Sequence, residues 1–252
     1  MSLPLPVLNA LLGTEALGVA IVALAGKGRG VVATRAHDAG ARFAGGEPLA
    51  HSAFSPYAYP PAAAPAAPGA SARERYAAAD RRAAALLDAD AVVAGRRRPR
   101  LVAQLACRVA REPDDGAFRV VLAALCAARA DGPLPAALAA DAAAVREALA
   151  GGDVDYAFLT DAWFYGVLSR LHLNGIAAGD GATALLGLPS LFNHDRDPSA
   201  LVDYTGADGD IVFELARPLA AGDEITIDYH YDPGADPAER AAFLLENYGF
   251  EE

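Results

Sequence analysis

The texture of this chain changes from strand-like to helical and back again, and that return constrains its fold more than any other feature. Residues 16–25 are rich in valine, isoleucine and leucine; Gly26, Gly28 and Gly30 punctuate the sequence, and residues 31–35 resume a β-favouring run. This predicts two strands joined at a glycine-rich turn. Short apolar pieces return after Gly175, at residues 200–204, 211–215 and 225–229, with turns at 208–210 and 221–224. A sheet built from such pieces has to be assembled from distant parts of the sequence. The expected class is therefore α+β, small sheets plus an α-helical insertion.

The middle of the chain supplies that insertion. Pro56, Pro60, Pro61, Pro65 and Pro68 break any regular element and predict a loop or linker. Ser71 and Glu74 have capping-box spacing ahead of an alanine-rich run, which predicts a long helix ending near Gly95. The arginines at 96, 97, 98 and 100 mark a break after it. Residues 101–111, 118–130, 136–150 and 156–173 have helical composition, separated by Pro113, Gly132 with Pro133, and Gly151 with Gly152. A last helix opens with Asp236 as N-cap, Pro237 at the first helical position and Glu239 in the first turn, and closes around residues 247–249.

Charge and cysteine usage narrow the function classes. The 252 residues carry a net charge of -11, which speaks against general binding to nucleic acid and favours a basic peptide as charged partner. Cys107 and Cys126 cannot supply a four-thiolate zinc site or a disulfide framework, so a reducing intracellular compartment, cytoplasmic or nuclear, is expected. The apolar stretch 17–25 is too short to span a bilayer and has no basic leader, so neither a membrane helix nor a signal peptide is expected.

Three segments carry chemical signals, each bland when taken alone. Gly26-Lys27-Gly28-Arg29-Gly30 reads as a glycine turn and lacks the context of a P-loop or a dinucleotide fingerprint. Asn193-His194 with Asp197-Pro198 reads as an asparagine turn between strands. Residues 222–229, Gly-Asp-Glu-Ile-Thr-Ile-Asp-Tyr, read as a tight turn into a strand that ends on a tyrosine. Competing readings are weaker. Asp195, Asp197, Asp208 and Asp210 lack the spacing and terminal glutamate of a calcium loop. His37, His51, His172 and His230 have no zinc-ligand spacing, and Ser190 has no nucleophile elbow around it. The arginines at 96–100 read as a solvated helix-end cluster.

In their order along the chain, the three segments resemble the SET-domain protein lysine methyltransferases, especially the subgroup that carries a MYND zinc finger. Lys27 to Gly30 is similar to that family's opening hairpin, and Asn193 to Pro198 to its Asn-His-x-x-x-Pro segment. Gly222 to Tyr229 is similar to its Gly-Glu-Glu-Ile-Thr-x-Asp-Tyr segment, with Asp223 for the first glutamate. Leu171 to Ile176 resembles the subgroup's Leu-x-x-Asn-x-Phe stretch, and Leu244 to Phe250 its closing Leu-x-x-x-Tyr-x-Phe. Residues 55–155 hold no dense cysteine set where the zinc finger is expected. The cysteine-rich tail is also absent, and the usual Asn-His-Ser-Cys-x-Pro-Asn is here Asn-His-Asp-Arg-Asp-Pro-Ser, so no metal is implied. A catalytically degenerate SET-like binding module is the alternative that these departures raise.

The resemblance implies a SET-type β fold with a threaded C-terminal segment. Its divisions are an N-terminal part at 1–54, a linker and helical insertion at 55–165 forming one wall of the substrate cleft, a C-terminal core at 166–232, and a closing helix and tail at 233–252. It implies S-adenosylmethionine as cofactor and a protein lysine as substrate, with no direct part for nucleic acid or membrane. Tyr229 is the implied catalytic residue, and Lys27, Gly28, Arg29, Gly30, Asn174, Asn193, His194, Tyr229 and Phe250 the implied cofactor-binding set. Ile176, Tyr229 and Tyr248 would line the lysine channel. The chemistry suits these types. A lysine amine has a pKa of about 10.4 and must be held neutral by apolar and aromatic walls, and glycines let a main chain approach a ligand closely.

Overall fold

A computed structural model describes residues 4–44, 49–51, 97–109, 117–125, 136–149, 156–177, 183–203, 212–229 and 236–248. The helix expected at 71–95 and the proline-rich segment lie outside these residues. The chain divides into two compact units, one formed by Met1–Gly46 with Gly187–Glu252 and one by Glu47–Leu186. In chain order the elements begin with α1 (Leu5–Leu11), α2 (Thr14–Leu17), β1 (Val19–Leu24), β2 (Gly28–Ala33), β3 (Arg42–Ala44) and β4 (Ala50–His51). Helices α3 (Arg97–Val109), α4 (Ala117–Ala124), α5 (Ala136–Leu149) and α6 (Asp161–Asn174) follow, then β5 (Gly175–Ala177) and β6 (Thr183–Leu185). A 3-10 turn at Pro189–Leu191 leads to β7 (Asn193–His194), β8 (Ala200–Asp203), β9 (Val212–Leu215), β10 (Glu224–Ile227) and α7 (Pro237–Tyr248).

The first unit holds two sheets. One runs β1-β2-β10-β7, antiparallel except for the parallel pairing of β10 with β7, and the other runs β3-β9-β8. Strand alternation supplies their core: Val19, Ile21, Val31, Ala33, Phe213, Leu215, Ile225 and Ile227 are buried. On the outer edge of β1 one side chain takes both backbone groups of Ile21. Asn9 Nδ2 donates to the Ile21 carbonyl at 3.0 Å, and Asn9 Oδ1 accepts the Ile21 N–H at 2.7 Å and the Thr14 hydroxyl at 2.7 Å. An edge that could template another chain is thereby satisfied locally.

Two boundaries near the first hairpin differ from the sequence expectation. The first strand starts at Val19, because Thr14–Leu17 form a short helix that ends on Gly18 with φ 70°. The second starts at Gly28, because the β1–β2 ladder continues down to the Leu24–Gly28 pair. Gly28 and Gly30 therefore sit in the ladder, and the turn shrinks to residues 25–27 with Gly26 at φ 74°. Cross-strand pairing here outweighs the weak strand propensity of glycine.

The second unit contains the helices and a third sheet, β4-β6-β5. Helix α3 packs on α5 and α6, and its Leu101, Val102, Leu105 and Ala106 are buried. It starts at Arg97, inside the arginine cluster expected to mark a break. Pro99 is tolerated in its first turn, where an N–H has no helical partner. Helix α6 starts at Asp161 rather than 156, because the Thr160 hydroxyl accepts the Trp163 N–H at 3.2 Å and caps it. Arg146 ties α5 to this end of α6 through Asp161 at 2.6 Å and the Leu159 carbonyl at 2.9 Å. Gly175 turns α6 directly into β5, where a Cβ would lie 2.4 Å from the Leu171 carbonyl oxygen. The final helix α7 is capped as expected, with Asp236 Oδ1 accepting the Ala238 N–H at 2.7 Å.

Candidate active site

The parallel pairing of β7 with β10 places Asn193 beside Thr226 and His194 beside Ile227. From that position Asn193 Nδ2 donates to the Arg29 carbonyl of β2 at 2.9 Å and to Glu224 Oε1 of β10 at 2.7 Å. Glu224 Oε2 takes the ammonium of Lys27 at 2.7 Å. Lys27, Arg29, Asn193 and Glu224 thus meet over the start of β2. Gly30 lies beneath them, where a Cβ would fall 2.4 Å from Leu24 Cδ1, 2.6 Å from Asn193 Nδ2 and 2.9 Å from Glu224 Oε1. Close approach, not a positive φ, requires glycine at 30. At Gly28 the requirement reverses: φ is 80° and a Cβ would meet nothing within 4 Å.

One residue beyond Asn193, the ring of His194 supports the end of β10. The Tyr229 N–H donates to His194 Nδ1 at 3.1 Å, so Nδ1 is the acceptor of this bond. Asp228 Oδ1 approaches the same nitrogen at 3.8 Å. The carboxylate of Asp228 is instead committed to Arg240 of α7 in a fork of 2.9 and 2.7 Å, with both side chains about nine-tenths buried. The Tyr229 and His194 rings lie 5.3 Å apart, and the Tyr229 hydroxyl donates to the Phe192 carbonyl at 2.8 Å. Phe192 is itself fixed by an edge contact with Phe213 at 5.2 Å.

The segment after His194 is locally satisfied. Asp195 Oδ1 accepts the Asp197 N–H at 2.9 Å, closing an Asx turn, and the Asp195 N–H donates to Ile227. Ser199 is fully buried; its N–H donates to Thr226 Oγ1 at 3.1 Å and its hydroxyl to the Glu224 carbonyl at 3.2 Å, and it accepts the Thr226 N–H at 2.9 Å. Asp223 Oδ2 accepts the Ala220 N–H at 2.7 Å in the turn that leads into β10. Among the described residues no group of three His, Cys, Asp or Glu side chains converges to hold a metal ion.

This arrangement brings an asparagine, a histidine and a tyrosine from two parallel-paired segments beside the glycine-containing strand β2, and the SET domain family model matches residues 28–230, which include Gly28, Gly30, Asn193, His194 and Tyr229. The chain belongs to the SET domain family. The histone-lysine N-methyltransferase ATXR4 of Arabidopsis thaliana is 30% identical over 120 residues, covering 39% of this chain and 36% of that one. The SET domain of LSMT bound to lysine and AdoHcy has the same fold, with a TM-score of 0.58 at 12% identity over 98% of this chain and 57% of that one. Its complex with MeLysine and AdoHcy gives 0.54 at 14% identity over 100% and 58%. The chain spans less than two thirds of the length of each.

The remaining SET-domain candidates belong to other elements or lie outside the described residues. Asn174 closes α6 in the second unit, buried, with Nδ2 on the Arg170 carbonyl at 2.8 Å. Ile176 belongs to β5 in the same unit, paired with Ala184. Tyr248 is the last residue of α7, and Phe250 lies outside the described residues. Sequence reasoning assigned no role to Glu224, Phe192, Ser199, Asp228 or Arg240. Glu224 and Asp228 lie inside the quoted 222–229 segment, which was the available signal. Phe192 acts through its carbonyl, for which side-chain identity gives none.

Proposed function

We propose that this SET domain transfers a methyl group from S-adenosylmethionine to a lysine side chain of a protein. The observation that carries the reading is the Tyr229 hydroxyl, whose proton is committed to the Phe192 carbonyl at 2.8 Å. A phenol oxygen fixed in this way is suited to orient the N–H of a neutral amine. LSMT, which shares the fold, binds lysine and AdoHcy, and ATXR4 is named a histone-lysine N-methyltransferase.

The residues present fit the cofactor. With both Asn193 N–H donors used, its Oδ1 is an acceptor for an ammonium group, and the open space over Gly28 leaves room for a ligand against the main chain. Lys27, Gly28, Arg29, Gly30, Asn193 and His194 would hold it, Phe250 would cover its adenine, and Asn174 would add a polar contact. When bound it supplies an electrophilic methyl on a sulfonium. Ile176, Tyr229 and Tyr248 would form the channel that excludes water and keeps the amine uncharged.

The finer assignment is to the SET-and-MYND type without its zinc finger, supported by Leu171 to Ile176 and Leu244 to Phe250. We retain the division at 54, 165 and 232 on the same basis. The negative net charge supports a basic peptide as substrate, with nucleic acid and membrane playing no part, and two cysteines support a reducing compartment, cytoplasmic or nuclear. No helix among the described residues is long and apolar enough to cross a membrane. The hydrogen bonds of Ser199 to Thr226 and Glu224, and of Asp195 to Asp197 and Ile227, favour an intact site over a degenerate module. Calorimetric titration with S-adenosylmethionine and AdoHcy tests the reading: saturable binding that Asn193→Ala abolishes supports it, and no binding to the unaltered protein overturns it.

A further inference from the structure

We infer that Glu224 is a positioning residue that sets which face of the Asn193 amide the cofactor meets, and so makes the site selective for the cofactor's α-ammonium group. The inference rests on the methyltransferase reading and adds a residue to it. A side-chain amide has a donor end and an acceptor end of nearly the same shape, so its facing is decided by what surrounds it. Here the donor end has two acceptors, the neutral Arg29 carbonyl at 2.9 Å and the carboxylate of Glu224 at 2.7 Å. Turning the amide over would set Asn193 Oδ1 against both of these oxygens. A bond to a charged acceptor is also about twice as strong as a neutral one, so Glu224 contributes the larger share of the preference.

Lys27 completes the device. Its ammonium occupies Glu224 Oε2 at 2.7 Å, which leaves Oε1 for Asn193. The missing side chain at Gly30 makes this packing possible, since a Cβ there would collide with both the amide nitrogen and Oε1. What is left toward a ligand is the Asn193 Oδ1 acceptor, which takes an N–H such as that of an ammonium group and repels a carboxylate oxygen.

The test compares AdoHcy with 5′-deoxy-5′-methylthioadenosine, which carries the same adenosine thioether without the amino acid, by calorimetry on the whole chain. Glu224→Met keeps the side-chain length and removes both acceptors. It is expected to weaken AdoHcy about tenfold, the scale of one lost hydrogen bond to a charged group, and methylthioadenosine less than about twofold. Glu224→Gln keeps an acceptor for Asn193 and is expected to restore AdoHcy to within about threefold of the unaltered protein. Glu224→Ala repeats the measurement should the methionine variant fail to fold. Equal weakening of both ligands, unchanged AdoHcy binding, or no rescue by glutamine overturns the inference while leaving the methyltransferase reading in place. An unaltered protein that does not bind AdoHcy overturns both.

Discussion

Two of the hydrogen bonds of Tyr229 have separable duties. Its N–H on His194 Nδ1 fixes the end of β10, and its hydroxyl on the Phe192 carbonyl fixes the phenol. Tyr229→Phe keeps the first and deletes the second. It should lower stability by only about 1 kcal/mol and leave AdoHcy affinity within about twofold, while methyl transfer falls about 100-fold or more. Single-turnover rates beside urea unfolding curves check this, and an unchanged rate would remove Tyr229 from the mechanism. Asn193, His194 and Tyr229 could be read from the sequence because each sits in a short segment with a recognisable order. Glu224 could not. Its partners Lys27 and Asn193 are 197 and 31 residues away, and only folded geometry turns a strand glutamate into a bridge between them. Phe192 was beyond reach for another reason, since carbonyl oxygens are common to every residue.

At the level of elements, α7 is held to the site strand by Asp228 and Arg240, a forked pair that is about nine-tenths buried. Removing one partner strands a charge away from water. Arg240→Met should therefore cost roughly 3 kcal/mol, visible as an earlier urea midpoint with an unchanged slope. A loss below about 0.5 kcal/mol would mean that α7 is held by apolar contacts such as that of Leu244. Helices with local caps were legible: Asp236 predicted the start of α7 to the residue. The start of α6 was misplaced because the composition of residues 156–160 is helical while the Thr160 hydroxyl, a single local hydrogen bond, decides where the helix begins. Two- and three-residue strands such as β3, β4 and β7 gave no periodic signal, because they exist only through partners far along the chain.

On the scale of the whole molecule, the class was legible from the change of texture, whereas the sheet order was not, because composition does not encode which distant pieces pair. The net charge of -11 carries a prediction of its own. Binding of a lysine-rich peptide should weaken steadily between 50 and 500 mM salt, by about tenfold or more, as the Debye length falls below about 10 Å; titration at three salt concentrations checks this. A salt-independent affinity would show that the peptide is held by apolar contacts alone. The central sheet joins β2 to β10 across almost the whole sequence, with the Lys27–Glu224 bridge spanning 197 residues. On a ribosome adding about 5–20 residues per second, the first hairpin waits roughly 10–40 s for that partner. Throughout this interval Val31 and Ile21 stand without the cover that β10 gives them in the finished fold, so the hairpin is complete long before its core is.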